Sequence, residues 1–109
     1  LWVSPAEFSS GWNFGPEKRN CKNVFTVTKK ILNAWGVQKK IKLKKSKMHE
    51  SKFLSLNINK AKKELNWRPR LSFDETIKLT VDWYKNFLIK KKDVNKITSY
   101  QIEYYINKR

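Results

Sequence analysis

Apolar residues recur at helical spacing in the first third of the chain. Val24, Val27, Ile31 and Trp35 fall on one face of a helix, because they are three or four residues apart. Gly36 follows at a position where helices commonly end. The pattern therefore predicts a helix from about residue 23 to Gly36.

Capping signals predict two helices in the second half of the chain. Ser72 and Glu75 have the spacing of a capping box, in which the Ser hydroxyl serves the Glu75 N–H and the Glu75 side chain returns to the Ser72 N–H. The helix that follows places four residues on one stripe: Ile77, Val81, Tyr84 and Leu88. A second box at Thr98 and Gln101, with Ile97 and Ile102 as a hydrophobic staple, predicts a final helix through Tyr105 or beyond. Residues 90–96 are predicted to be a charged linker.

A shorter helix is predicted between these regions. Asn57 can cap a helix that runs to Leu65, and Asn66 tolerates the left-handed conformation that closes one.

Alternating patterns predict short strands. Trp12 and Phe14 alternate with Asn13 and Gly15, and residues 40–44 (KIKLK) alternate with period two, as in a half-buried or edge strand. Residues 53–56 form a third β-like run before Asn57. The predicted fold class is therefore α/β: a small mixed α/β lobe, mostly helical in its second half.

Length and composition limit the chain to one small domain. It has 109 residues and a single cysteine, Cys21, so it forms no internal disulfide and a reducing compartment is the simpler expectation. The first residues show no basic start followed by an apolar run, and no apolar stretch approaches bilayer length. We expect a cytoplasmic protein with no signal peptide and no membrane partner.

The formal net charge of +16 raises the alternative of a small, free-standing basic protein that binds RNA or DNA. Only four of the 25 basic residues are arginine, the residue better suited to bidentate recognition of bases and phosphates. The lysines are also spread over the whole length. A solvated basic surface is therefore favoured over a nucleic-acid interface.

Catalytic and metal-binding constellations are missing from the sequence. None of its glycines, Gly11, Gly15 and Gly36, forms a Gly-rich strand-to-helix turn for a pyrophosphate. One His and one Cys do not make a zinc site. We therefore expect no catalytic, cofactor-binding or metal-binding residue. The best candidates for ligand contact are His49, which can donate to a phosphate oxygen, and Glu50, which can orient it or accept from a sugar hydroxyl.

Several motifs occur in an order that resembles a known enzyme family. They are WNFGP (residues 12–16), the helix that ends at Trp35 and Gly36, HE (49–50), LNINKAKKELNWRPR (56–70), TVDWYKNF (80–87) and TSYQIEYY (98–105). Together they closely resemble the carboxyl-terminal part of the CDP-glucose 4,6-dehydratase family. These enzymes are NAD-dependent lyases among the extended short-chain dehydrogenases/reductases. Asn57 stands where the family usually has Asp, and Asn66 where it usually has Gly.

The resemblance implies that residues 1–109 are a carboxyl-terminal sugar-nucleotide-binding lobe without its amino-terminal Rossmann domain. In such enzymes the Rossmann domain binds NAD and carries the catalytic residues, and the full-length protein is expected to be a homodimer that serves deoxysugar, lipopolysaccharide O-antigen and surface-polysaccharide synthesis. Transferred to this sequence, His49 would lie near the diphosphate or ribose, with Glu50 supporting it and Asn13 as a further substrate contact. The chain alone is expected to be inactive and to expose an apolar patch where the Rossmann half would pack.

Overall fold

A computed structural model of the chain describes residues 6–38 and 55–108. Within these ranges the chain forms four α-helices: α1 (Val24–Trp35), α2 (Asn59–Glu64), α3 (Phe73–Leu88) and α4 (Val94–Asn107). A 3₁₀ turn, Lys18–Asn20, precedes α1. Helix α3 packs against α1 on one side and α4 on the other, so it is the centre of the helical unit.

Helix α1 confirms the prediction made from its apolar spacing. The Asn23 side chain accepts a hydrogen bond from the Thr26 N–H at 2.8 Å, which satisfies one of the free donors at the start of the helix. At the other end Gly36 has a φ of 89°, and its N–H bonds to the carbonyls of Leu32 and Asn33. A left-handed residue at this point favours glycine, because it has no Cβ to clash.

Helix α3 begins where the sequence predicted. The Ser72 hydroxyl accepts a hydrogen bond from the Glu75 N–H at 3.1 Å. The reciprocal half of the box differs, because the Glu75 carboxylate accepts hydrogen bonds from Tyr104 and Lys108 of the α4 end instead. The predicted stripe is buried only in part: Ile77 and Val81 are buried, whereas Tyr84 and Leu88 are exposed.

Helix α2 begins at Asn59, slightly later than predicted. The Asn57 side chain accepts a hydrogen bond from the Asn59 N–H at 3.0 Å, so it serves the first turn from just outside the helix. Asn66 has a φ of 51°, which confirms the predicted left-handed residue after the helix. The Trp67 N–H then reaches back to the Ala61 carbonyl at 3.3 Å and ends α2.

The predicted start of the last helix is wrong. Helix α4 begins at Val94, and its N-cap is Asp93, whose carboxylate accepts from the Asn95 N–H at 2.8 Å. Thr98 and Gln101 lie inside the helix and bond to α3: the Thr98 hydroxyl accepts from the Trp83 indole at 3.0 Å, and the Gln101 amide donates to the Leu79 carbonyl at 2.7 Å. Because the helix is capped by Asp93 instead of Thr98, the linker between α3 and α4 is shorter than the predicted residues 90–96.

The strand predicted at residues 12–14 is not observed, and no strand occurs in residues 6–38 or 55–108. A strand needs a partner for its backbone ladder, whereas residues 11–13 meet residues 57–60 through the Asn13 and Lys60 side chains. Ser55 and Leu56, the end of the predicted third run, are irregular. The predicted strand at residues 40–44 and the start of the run at 53–56 lie outside the described residues. The helical second half of the predicted fold is confirmed; its α/β class is not.

The hydrophobic core of the described residues is small. Its buried members are Ile58, Ala61, Ile77, Val81 and Ile97. Many large apolar side chains remain exposed, among them Phe14, Leu56, Phe87, Ile102 and Ile106. A core of this size leaves much apolar surface of the described residues in contact with solvent.

Candidate functional site

The WNFGP segment, residues 12–16, lies against the chain that leads into α2. A Cβ at Gly15 would lie 3.6 Å from Leu56 Cβ and 3.7 Å from Ile58, which are ordinary van der Waals distances, so the two segments lie side by side at this point. The structure thereby brings together two of the motifs on which the family resemblance depends. We call the surface between them, bordered by Asn13 and residues 55–59, the polar cleft.

Asn13 lies at the edge of the polar cleft. Its side chain is exposed, and its amide nitrogen donates to the Asn57 carbonyl at 3.4 Å, near the upper limit for a hydrogen bond. The side-chain oxygen faces no described donor at hydrogen-bond distance. Asn13 can therefore exchange this weak bond for a ligand contact at little cost.

A cavity of about 300 Å³ opens beside Asn57. It is lined by Pro16, Glu17, Lys18 and residues 55–59, which include Asn57 and Asn59. The mixture of a carboxylate, an ammonium and two amides suits polar groups such as hydroxyls and phosphates. Its volume is at the lower end of the range for small-molecule sites, so it would hold only part of a nucleotide sugar.

The Lys60 side chain connects α2 to residues 10–12 through hydrogen bonds and a cation–π contact. Its ammonium donates to the Ser10 hydroxyl at 2.7 Å and to the Gly11 carbonyl at 2.9 Å, and it lies 4.2 Å from the centre of the Trp12 ring. A cation over the face of an indole is attracted by the ring quadrupole. The Trp12 N–H in turn donates to the Phe8 carbonyl at 2.9 Å. This lysine therefore has a defined structural role rather than being one of many solvated charges.

Lys62 makes a second attachment between the same elements. Its ammonium lies 2.8 Å from one Glu17 carboxylate oxygen and 3.0 Å from the other. The hydrogen bond from Lys62 lowers the pKa of Glu17, and the charges of Lys62, Arg19 and Arg68 act in the same direction against desolvation. Glu17 stays ionised near neutral pH and keeps the wall of the polar cleft in place.

His49 and Glu50, the candidate ligand-binding pair, lie outside the described residues. The structure places one of the three predicted substrate contacts, Asn13, next to Asn57, which follows Glu50 by only seven positions in the sequence. Sequence reasoning missed Glu17, Lys60 and Lys62. These residues form no recognisable motif in the sequence. Their contacts depend on how the WNFGP segment and α2 meet in space.

The described residues do not fit a dinucleotide cofactor. Gly15 packs against Leu56 and Ile58, and Gly36 closes α1, so neither belongs to a phosphate-binding turn at a helix start. Gly11 accepts a hydrogen bond from Lys60. No group of three or more His, Cys, Asp or Glu side chains in residues 6–38 and 55–108 could hold a metal ion. In the same ranges no helix is both long and apolar enough to cross a membrane.

No family model matches the chain. The sequence is similar to that of a sugar-nucleotide dehydratase. This relative is CDP-glucose 4,6-dehydratase of Salmonella typhimurium (strain LT2), to which the chain is 35% identical over 89 residues. The aligned part covers 81% of this chain and 25% of the relative, so the chain spans about a quarter of the length of the curated relative it matches. The resemblance found in the sequence motifs is thereby confirmed.

Proposed function

We propose that the chain is the carboxyl-terminal, substrate-binding part of a CDP-glucose 4,6-dehydratase. The observation that carries this proposal is the 35% identity to the Salmonella enzyme across 81% of the chain. The complete enzyme would be a lyase that dehydrates CDP-glucose to CDP-4-dehydro-6-deoxyglucose. Its place would be the cytoplasm, in the synthesis of deoxysugars for O-antigen polysaccharide.

In this proposal the nucleotide sugar binds at the polar cleft. Asn13 would contact the substrate, His49 would donate to the diphosphate or ribose, and Glu50 would support His49 or accept from a sugar hydroxyl. The support is that Asn13 is exposed and weakly bonded, and that Glu17 and Lys18 line the adjoining cavity with polar groups.

The redox chemistry would belong to another part of the enzyme. NAD supplies hydride acceptance and return when bound, and we assign it to an amino-terminal Rossmann domain, because the described residues offer no cradle for it. The exposed apolar residues at the end of α3, Tyr84, Phe87 and Leu88, support a lobe that packs against further protein. We further propose that the complete enzyme is a homodimer.

A chimeric enzyme tests the proposal. This chain replaces the matching quarter of the Salmonella enzyme, and formation of the 4-dehydro-6-deoxy product from CDP-glucose is measured. We expect turnover by the chimera, and NAD binding in every folded variant. A chimera that folds and binds NAD but neither binds nor converts CDP-glucose would refute the proposed function.

Variants of the chimera test the residues. His49→Ala is expected to raise KM for CDP-glucose by about 10- to 100-fold, the loss of a hydrogen bond to a charged group. Lys47→Ala, two residues away, is the matched control and should change KM little. Equal effects of the two substitutions would show that His49 makes no specific contact with the substrate, and they would not contradict the proposed function.

A further inference from the structure

A second, larger cavity lies between the WNFGP segment and the loop that joins α2 to α3. It has a volume of about 530 Å³, within the range of small-molecule sites. Of the described residues, Pro16 alone borders both this cavity and the polar cleft. We call it the aromatic cavity, because four of its lining residues are aromatic: Phe14, Trp67, Phe73 and Tyr105.

Three of the four aromatic residues that line the cavity contact one another. The rings of Phe14 and Trp67 meet edge to face with their centres 5.0 Å apart, and the Trp67 indole donates to the Tyr105 hydroxyl at 3.1 Å. The Tyr105 O–H in turn donates to the Arg68 carbonyl at 3.4 Å, so Trp67 and Tyr105 contribute mainly carbon surface to the wall. The cavity is therefore preformed for a planar or aliphatic body.

The charged residues that line the aromatic cavity are both cations, Lys22 and Arg70. Arg70 donates to the backbone carbonyls of Ile106 and Lys108, which are neutral acceptors, and lies 5.5 Å from the Tyr105 ring centre. Lys22 lies 6.0 Å from the Phe73 ring centre. Neither cation forms an ion pair with a described carboxylate.

The nearby carboxylates are engaged by lysines that do not line the cavity. Among the described residues the ion pairs are Lys30 with Asp74, Lys62 with Glu17, and Lys108 with Glu75. None includes Lys22 or Arg70. The cavity therefore combines an apolar interior with a net positive rim, which is complementary to an apolar body that carries a negative charge.

We propose that the aromatic cavity binds a small amphipathic organic anion, with a ring or short aliphatic body between the aromatic walls and its carboxylate, sulfonate or phosphate at Lys22 and Arg70. This site is separate from the polar cleft and does not depend on the function proposed above.

Cys21 provides a reporter for the test, because it lines the aromatic cavity and is the sole cysteine of the chain. The probe is 8-anilinonaphthalene-1-sulfonate, and its uncharged counterpart is N-phenyl-1-naphthylamine. We expect the sulfonate to bind the 109-residue chain saturably and to slow alkylation of Cys21 by N-ethylmaleimide at least several-fold. The uncharged compound should bind more weakly.

The variant Lys22→Gln tests the charge. It should weaken sulfonate binding by about 2- to 5-fold, the range of an exposed ion pair, and leave binding of the uncharged compound unchanged. Lys29→Gln, at an exposed lysine of α1 that does not line the cavity, is the matched control. Circular dichroism verifies that both variants keep their helices.

Two results would overturn the proposal. Sulfonate binding that leaves the alkylation rate of Cys21 unchanged would show that the anion binds elsewhere. Protection of Cys21 that is equal for both compounds, and equal in Lys22→Gln and the parent chain, would show that the cavity does not select a negative charge.

Discussion

Lys60 illustrates how one side chain can fix a segment that has no secondary structure. Its three contacts, with Ser10, Gly11 and Trp12, hold residues 10–12 against α2. The residues that follow are attached separately, by the weak Asn13 amide bond, the Phe14–Trp67 ring contact and the Lys62–Glu17 ion pair. Because Asn13 lies next to residues 10–12 and its own bond is weak, its position at the edge of the polar cleft depends on Lys60 as well as on these contacts.

We predict that Lys60→Gln exposes residues 8–14 to proteolysis. Chymotrypsin cleavage after Phe8, Trp12 or Phe14 should be several-fold faster than in the parent chain, because local opening requires fewer contacts to break. Lys63→Gln, at an exposed lysine of the same helix, serves as control. Mass spectrometry identifies the cleavage sites, and equal cleavage rates in the two variants would contradict the role of Lys60.

A second residue-scale prediction concerns pH. The hydrogen bond from Lys108 lowers the pKa of Glu75 below its ordinary 4.5, and the same bond raises the pKa of Lys108 above its ordinary 10.5. A carboxyl with a lowered pKa stabilises the fold above its unfolded pKa, and that contribution is lost as pH falls through the folded value. The raised pKa of Lys108 gives a contribution that is present below 10.5 and lost as pH rises through its folded value.

Glu75→Gln should therefore lower the melting temperature by a small amount between about pH 5 and pH 10, and the difference from the parent chain should shrink as pH falls below 4.5. The effect is small because the pair is only half-buried. Glu64→Gln, at an exposed carboxyl of α2, controls for the change in net charge. A difference that stays constant from pH 7 to pH 3 would argue against the Glu75–Lys108 pair.

At the scale of the elements, α4 offers a sharp test of where a helix begins. Val94 is its first residue, where proline is tolerated because the N–H has no partner within the helix. Had the helix begun after a cap at Thr98, Ser99 would be the tolerant position instead. The two starting points therefore predict opposite outcomes for two proline substitutions.

We predict that Val94→Pro keeps the helical signal in circular dichroism, whereas Ser99→Pro destabilises the chain by about 3 kcal/mol, the cost of proline inside a helix. Thermal unfolding followed at 222 nm distinguishes them. Loss of helix in Val94→Pro together with a tolerated Ser99→Pro would show that the helix begins after Thr98, as the sequence predicted.

The helices that the sequence predicted correctly depend on local signals. The stop at Gly36, the cap at Ser72 and the left-handed Asn66 each act within a few residues, so they can be recognised without knowing the tertiary structure. The box at Thr98 and Gln101 failed because both side chains bond to α3 across the helix interface. A capping pattern cannot reveal that its side chains have better partners elsewhere.

The candidate site was predictable to a similar, limited degree. The order of the motifs indicated that WNFGP and the segment after residue 50 belong to the site. The structure brings these two segments together, with Asn13 beside Asn57. The lysine contacts of the cleft were not predictable, because composition favoured a uniformly solvated basic surface. Lys60, Lys62 and Lys108 instead form specific bonds whose partners lie more than thirty residues away in the sequence.

At the scale of the whole molecule, the distribution of apolar surface indicates how the chain will unfold. The buried core of residues 6–38 and 55–108 contains five side chains, one of them an alanine. Cooperative unfolding and a steep dependence on denaturant both require a large change in exposed surface. Several large apolar side chains are already more than a third exposed in the folded chain, so they add little to the surface exposed on unfolding. They are Tyr84, Leu88, Ile102 and Ile106.

We therefore predict a broad urea transition for the 109-residue chain, with an m-value at or below about 1 kcal/mol/M, the lower end for small proteins. Self-association should accompany it, since exposed apolar side chains such as Phe87 and Leu88 can pack against those of a second copy. Leu88→Ser combined with Phe87→Ser should reduce association without lowering the midpoint, because both side chains are exposed in the parent. Sedimentation velocity and urea titration measure the two effects. A monomer with a steep, single transition would show that the chain folds cooperatively by itself, and it would count against the proposal that α3 packs against further protein.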